Sequence, residues 1–390
     1  MSKYNFDQII NRKGTGAIKV DALKERYGDE NLIPLWVADM DFLSPPAVSE
    51  AIITRARHGV FGYTNPSQGY FDAIVSWIQK HHNWQIKQEW VSFIPGIVKG
   101  IAFAVDNFTK EADKIIIQPP VYHPFRLVPT ALKREIVNNP LVLKTDQYEM
   151  DMDDLKNKID KSCKILILCN PHNPGGRVWT REELTAIADI CFDNGILVIS
   201  DEIHCDLAFK GHKHIPFASV SEKAAQNSIT FMAPSKTFNI AGMASSYSII
   251  PNDEIRERFH QYLEARELSS GDIFAHISAQ TAYENGEEWL TELKEYLWNN
   301  ISYVDKFLKE HIPSIKAMMP QASYLIWLDC RDLKLSQNEL VSLFVNDAKL
   351  ALNDGAMFGT EGTGFMRMNI GTPLSVIKEA LNNLKKAVNK

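Results

Sequence analysis

Two hydrophobic periods alternate along this chain. Short, nearly continuous apolar runs of strand length give way to stretches whose apolar residues recur every three to four positions. Lys114 to Gln118, Lys164 to Cys169, Gly195 to Ser200 and Ile229 to Met232 are runs of the first kind. Continuous apolar runs are the mark of strands covered on both faces. Ala47 to His58, Phe71 to His82 and Thr180 to Phe192 are stretches of the second kind. In Phe71 to His82, Ile74, Trp77 and Ile78 fall on one helical face. Thr180 is placed to cap its helix, and Glu183, three residues on, completes a capping box. Pro95-Gly96-Ile97-Val98 reads as a turn entering a helix, and Phe61-Gly62-Tyr63-Thr64 as a turn or short extended piece. The alternation predicts an α/β layer on a mainly parallel sheet.

Both ends of the chain read differently. Asn252 to Asn285 has one long, charged helical pattern, and Glu287 to Glu310 a second. Ser323 to Asp329 and Gly364 to Ile370 read as strands, Gln337 to Asp347 and Pro373 to Val388 as helices. At the start, Leu35 to Phe42 turns from apolar to acidic before Ser44-Pro45-Pro46 breaks it. The expected division is a three-layer α/β/α large domain over residues 46–285. An N-terminal arm, residues 1–45, and residues 286–390 would make a smaller α+β domain. No internal repeat supports a solenoid.

A chain of 390 residues suits two domains. Its net charge of −6, with no basic cluster interleaved with aromatics, argues against a nucleic-acid surface. The N-terminus lacks the apolar segment of a signal peptide, and no apolar run reaches bilayer length. A cytoplasmic protein is expected, with no membrane partner. The five cysteines are odd in number and have no CxxC spacing, which fits a reducing compartment and no metal site. Cys169, in an apolar run, reads as a core residue, and Cys205 as packing.

Chemistry-bearing residues fall just past the predicted strands. Lys236 follows Ile229 to Met232, Asp201 follows Gly195 to Ser200, and Asn173 follows Lys164 to Cys169. In an open α/β sheet, ligands bind beyond the C-terminal strand ends. A poorly solvated lysine there loses ammonium character and becomes a nucleophile toward an aldehyde. Burial would raise the pKa of Asp201 unless a cation lies against it. Each residue has a plainer reading. Lys236 alone would be a surface lysine, Asp201 a helix cap, and Asn173 part of a turn. Tyr122 reads as a core or a stacking residue, and Arg367 as one half of a salt bridge or a carboxylate binder.

Ser235-Lys236-Thr237-Phe238-Asn239-Ile240-Ala241-Gly242 resembles the cofactor-lysine segment of fold type I pyridoxal-phosphate enzymes, the aspartate aminotransferase superfamily. Asn173-Pro174-Gly175-Gly176 and Ser200-Asp201-Glu202-Ile203-His204 resemble two further signatures of that superfamily, in the same chain order. The wording from Cys169 to Trp179, with His204 where the aminotransferase branch usually has Tyr, is most similar to the MalY/PatB-type cystathionine β-lyases. The resemblance implies pyridoxal phosphate held by Lys236, with Asp201 on its ring nitrogen, Asn173 on its phenolic oxygen, Tyr122 stacked on its ring and His204 nearby. It implies a phosphate bound by Gly96, Ile97, Val98 and Ser235, and by Tyr63 of a neighbouring subunit in a homodimer. Arg367, with the backbone of Val37 and Ala38, would grip the carboxylate of an amino-acid substrate. Ala233 and Ala244 depart from the Ser and Arg common in the aminotransferase branch, leaving a less cationic phosphate site. The implied activity is carbon–sulfur β-elimination, with transamination as the alternative. A non-catalytic protein on the same fold is a third reading.

Overall fold

The computed structural model describes residues 3–389. Its large sheet has seven strands, in the order Val91–Ile94, Ser246–Ile249, Ser228–Met232, Leu197–Asp201, Cys163–Cys169, Lys114–Ile117 and Glu135–Asn138. From Ser228–Met232 to Glu135–Asn138 every pairing is parallel. Ser246–Ile249 runs antiparallel to both of its neighbours.

Side chains that alternate along these strands separate the core into layers. Ile115, Ile117, Ile165, Ile167, Ile199 and Ile229 pack with Ile101 and Val105 of the Ile97–Phe108 helix and Phe259 of the Asp253–Glu264 helix. Ile116, Leu166, Leu168 and Val198 point the other way, onto Leu184, Ile187 and Cys191 of the Arg181–Asp193 helix. Each such side chain, fully buried, contributes about 1.5–3 kcal/mol. This is why the strands read as unbroken apolar runs: neither face meets water. Thr180 caps its helix, with the Glu183 capping box formed as expected.

A second sheet has four strands, in the antiparallel order Lys316–Met318, Leu325–Asp329, Phe365–Asn369 and Asn353–Asp354. The Glu287–His311 and Leu374–Val388 helices share a hydrophobic cluster with it. That cluster reaches Trp77, Phe238 and Tyr247, so apolar packing is continuous from the small sheet to the large one. The N-terminal segment joins the second half of the chain, with Ile33–Pro34 parallel to Leu350–Ala351.

The structure corrects two helix expectations. Asn252 to Asn285 is two helices, Asp253–Glu264 and Ile273–Asn285. Between them Glu267 adopts a positive φ of 55°, and the Asp272 carboxylate caps the second helix through the amides of Phe274 and Ala275. Gln337 to Asp347 is α-helical to Ser342 and then widens into a π turn over Leu343–Asp347. The strands Val91–Ile94, Glu135–Asn138 and Ser246–Ile249 were not foreseen. Glu135–Asn138 is an edge strand, part exposed and half polar, so it carries little hydrophobic signal.

Candidate active site

Sheet register brings the candidate residues together. Cys169 pairs with Asp201, and Asp201 with Phe231, so three neighbouring parallel strands end level. The loops that leave them carry Asn173, His204 and Lys236 to one edge. A cavity of about 260 Å³ opens there. Ala38, Gly96, Ile97, Val98, Tyr122, Asn173, Asp201, His204, Ser235 and Lys236 all line it.

Of the titratable groups lining the cavity, Lys236, Asp201 and His204 are shifted chiefly by burial, as are the Tyr122 hydroxyl and the Cys169 thiol, both pushed up. The Lys236 ammonium is drawn down to about 8; the positive charge of Arg367 adds to this, while Asp39 and Asp201 oppose it. Its Nζ donates a short hydrogen bond to the Ala38 carbonyl. The Asp201 carboxyl is pushed up to about 7, with one hydrogen bond in opposition, from the Ile203 amide at 3.1 Å. That bond is local to the turn, and no α-helix starts at Asp201, so the helix-cap reading falls. The His204 ring is held down to about 3 by burial and then by the charges of Lys236 and Arg367, and its Nδ1 is buried without a hydrogen-bond partner.

One end of the cavity suits an anion. Gly96 is the N-cap of the Ile97–Phe108 helix, with φ of 114° and no side-chain cap. A β-carbon on Gly96 would meet nothing within 4 Å, but that φ is one L-residues avoid. The first amides of the helix, at Ile97 and Val98, lack intrahelical acceptors and border the cavity. Ala244 lies in the same wall. Lys99, exposed at the third residue of that helix, also lines the cavity and was missed. Its signal was its place three residues after Gly96 at a helix start.

Arg367 stands behind this wall in the Phe365–Asn369 strand and does not line the cavity itself. Its Nη1 donates to Asn173 Oδ1 at 3.1 Å, and its Nη2 to Trp36 O at 2.9 Å and Asn353 Oδ1 at 2.6 Å. No carboxylate pairs with it among the described residues, and its Nε is buried without a partner. The internal salt-bridge reading is therefore not what forms. Burial lowers its pKa to about 10, against its tyrosine neighbours. The bond to Asn173 Oδ1 occupies that amide's acceptor and leaves its NH₂ for the cavity.

Two further predicted residues, Val37 and Tyr63, lie outside the cavity. The Val37 carbonyl accepts from Asn369 Nδ2 at 2.6 Å. Tyr63 is fully exposed on an irregular loop, away from the cavity of its own chain. Cys169 does line the cavity, and its Sγ accepts from the Asn173 amide at 3.3 Å, a contact its place in an apolar run hid.

Sequence reasoning also missed the groups that hold the site from behind. Asp206 accepts from Trp77 Nε1 at 2.9 Å and Thr237 Oγ1 at 2.8 Å, and bonds His82 Nε2 at 2.9 Å. Thr237 follows Lys236, so the turn that carries the lysine is anchored to a buried carboxylate. Asn369 Nδ2 holds the carbonyls of Val37 and Asp39, which sets the bend that carries Ala38. Only contacts 31 and more than 300 residues apart in sequence reveal these roles.

Residues 30–384 match the family described as Aminotransferase class I and II. The chain belongs to that family. Within it, the chain is 43% identical to cystathionine beta-lyase PatB of Bacillus subtilis, over 98% of this chain and 100% of that protein. It is 32% identical to protein MalY of Escherichia coli, over 99% of each. Among solved structures, cystalysin from Treponema denticola, which contains a pyridoxal 5′-phosphate cofactor, superposes with a TM-score of 0.96 at 36% identity, over 99% of each chain. The aspartate aminotransferase-like fold expected from the motifs is thus the fold of this class I and II family member.

Proposed function

We propose that the cavity binds pyridoxal phosphate and that the protein is a carbon–sulfur β-lyase. It converts cystathionine- or cysteine-type L-amino acids to a thiol, pyruvate and ammonia. The observation that carries this reading is one cavity holding a buried lysine drawn down to about 8 and a buried carboxyl pushed up to about 7. The family relatives named cystathionine beta-lyase support it.

The residues present fit the cofactor. Asp201, with a single hydrogen bond, lacks the cation that would ionise it, and a pyridinium nitrogen supplies one. Ile97 and Val98 offer amides, and Ser235 a hydroxyl, to a phosphate. Asn173 offers its NH₂ to the phenolic oxygen, Tyr122 a ring face, and His204 a neutral imidazole in the same wall. Bound there, pyridoxal phosphate supplies an aldehyde for Lys236 and a ring that accepts electrons from the substrate α-carbon.

This chain's residues then do the rest. Arg367, with the backbone of Val37 and Ala38, orients the substrate carboxylate; its unpaired Nε and lack of an acidic partner suit that task. Lys236, about half neutral near pH 8, takes the α-proton as general base. The electron pair of the broken C–H bond forms the Cα=Cβ bond as the Cβ–S bond breaks and the thiolate leaves. Water hydrolyses the resulting enamine to pyruvate and ammonium.

Tyr63 enters this scheme from a second copy. Its loop also exposes Val60 and Phe61, apolar surface that suits a homodimer interface. Residues 46–285 are the cofactor-binding domain in this reading, with 1–45 and 286–390 forming the small one. No helix among the described residues is long and apolar enough to cross a membrane, and we assign the protein to the cytoplasm.

The test is pyruvate release from L-cystathionine without any 2-oxo acid. Steady release supports the lyase. Strict dependence on an added 2-oxo acid overturns it in favour of transamination, which uses the same residues.

A further inference from the structure

We propose that a second, smaller cavity beside the active site binds the far end of the substrate, and that it takes a free amino-acid head group, an ammonium and a carboxylate on one carbon, carried beyond the thioether. The inference rests on the lyase reading and names which thioethers this site favours.

The second cavity, about 70 Å³, shares Tyr122 with the first. Phe358 forms another part of its wall, and the Arg367 guanidinium lies 5.1 Å from that ring. Tyr122, the residue that would stack on the cofactor, is thus a wall common to both cavities, and Arg367, which would grip the near carboxylate, lies against the Phe358 wall of the second. The wall is fixed from both sheets. The Val121 amide donates to the Phe358 carbonyl at 2.8 Å, tying the loop after Lys114–Ile117 to the loop before Phe365–Asn369.

Arg126 and Glu361 both line this cavity. They carry opposite charges, yet neither enters an ion pair among the described residues. The guanidinium of Arg126 has one long contact, 3.5 Å to the Met357 carbonyl. Beside them lies His123, whose Nδ1 is buried without a hydrogen-bond partner. Burial, then the charges of Arg367 and Arg126, holds its ring neutral, with a pKa of about 4. The cavity thus offers one cation, one anion and one unfilled neutral hydrogen-bonding group.

Charge and size both match an amino-acid head group. A carboxylate fits the fork of Arg126, an ammonium fits Glu361, and the sum of charges is zero on each side. The cavity, about 70 Å³, is larger than a single water needs and small enough to suit a compact polar head group. The Cα, ammonium and carboxylate of an amino-acid head are such a group. L-Cystathionine carries such a head beyond its sulfur; S-methyl-L-cysteine does not and leaves the cavity to water.

The test compares these two substrates in the full-length holoenzyme and its Arg126→Ala and Glu361→Gln variants. The ratio of kcat/KM for L-cystathionine to that for S-methyl-L-cysteine should fall about tenfold in each, through KM, since charged hydrogen bonds at a part-exposed site are weakened by solvent. An unchanged ratio, or an equal loss on both substrates, overturns the subsite. A second readout needs no turnover: calorimetric affinity of each amino acid for the Lys236→Ala protein, with and without Arg126→Ala. Preference for L-cystathionine that disappears with Arg126 supports the subsite, and equal affinities overturn it. If wild-type protein eliminates thiol from neither compound, the lyase reading fails, while the affinity ratio still decides the subsite.

Discussion

Asp201 and Asp206 are five positions apart, both buried, and opposite in electrostatic character. Asp206 meets three side-chain donors, His82, Trp77 and Thr237. Burial alone would raise its pKa, but these partners outweigh it and hold it down to about 2. Asp201 meets a single local amide, and burial lifts it to about 7. Desolvation is common to both; satisfaction is not. A buried acid whose lone pairs are filled is part of the framework. A buried acid left short of partners, at the rim of a cavity, is kept for a ligand. Lys236 lies between them, its neighbour Thr237 fastened to Asp206 and its own amine in the cavity with Asp201.

The comparison can be broken at its centre first. Lys236→Ala should abolish elimination, by at least about 1,000-fold, with the thermal unfolding of the cofactor-free protein little changed. Activity within tenfold of wild type would remove the lysine from the chemistry. Asp201→Asn should cost about 100-fold or more in kcat/KM while stabilising the cofactor-free fold at neutral pH. The sign follows from the protons bound. Unfolded Asp201 loses its proton near 3.8 and the folded group near 7, so between these values the folded state holds the extra proton. Its contribution to stability therefore falls as pH rises from about 4 to 7. Melting temperatures of cofactor-free wild type and Asp201→Asn, measured across that window, should converge at pH 4 and separate by pH 7, with the variant higher. A separation of the opposite sign would show that Asp201 is already satisfied.

The framework side should respond in stability. Asp206→Ala leaves His82, Trp77 and Thr237 without their acceptor, and should cost about 3–5 kcal/mol in urea unfolding. A loss below about 1 kcal/mol would place Asp206 with Asp201, not opposite it. Thr237→Val removes one donor of the three. It should cost about 1–2 kcal/mol and lower kcat only several-fold, since the lysine turn keeps its other supports. A loss of activity as large as that of Lys236→Ala would move Thr237 into the chemistry.

Much of the site was legible because strand ends advertise themselves. Ile229 to Met232, Gly195 to Ser200 and Lys164 to Cys169 are apolar throughout because both faces are covered, and the polar residue that follows each run marks the open edge. Arg367 was legible as a charge inside a strand pattern, but not its use of Asn173 and Asn353 in place of a carboxylate. Glu135–Asn138 was not legible because an edge strand exposes half of its side chains, and the break at residues 265–272 because charged residues suit a helix and a loop alike.

The sequence by itself determined the periods, and with them the layered α/β core, the Thr180 cap and the placing of Lys236 and Asp201 just past strand ends. These depend on near neighbours and on whether a side chain prefers water, and both are written locally. Only the tertiary structure decided which polar groups find partners. Asp201 and Asp206 are the same residue type in one short stretch, yet donors from residues 77, 82 and 237 reach just one of them. Hydrogen bonding is short-ranged in space and indifferent to distance along the chain, so the folded register alone set which acid is satisfied by donors and which is left short of them.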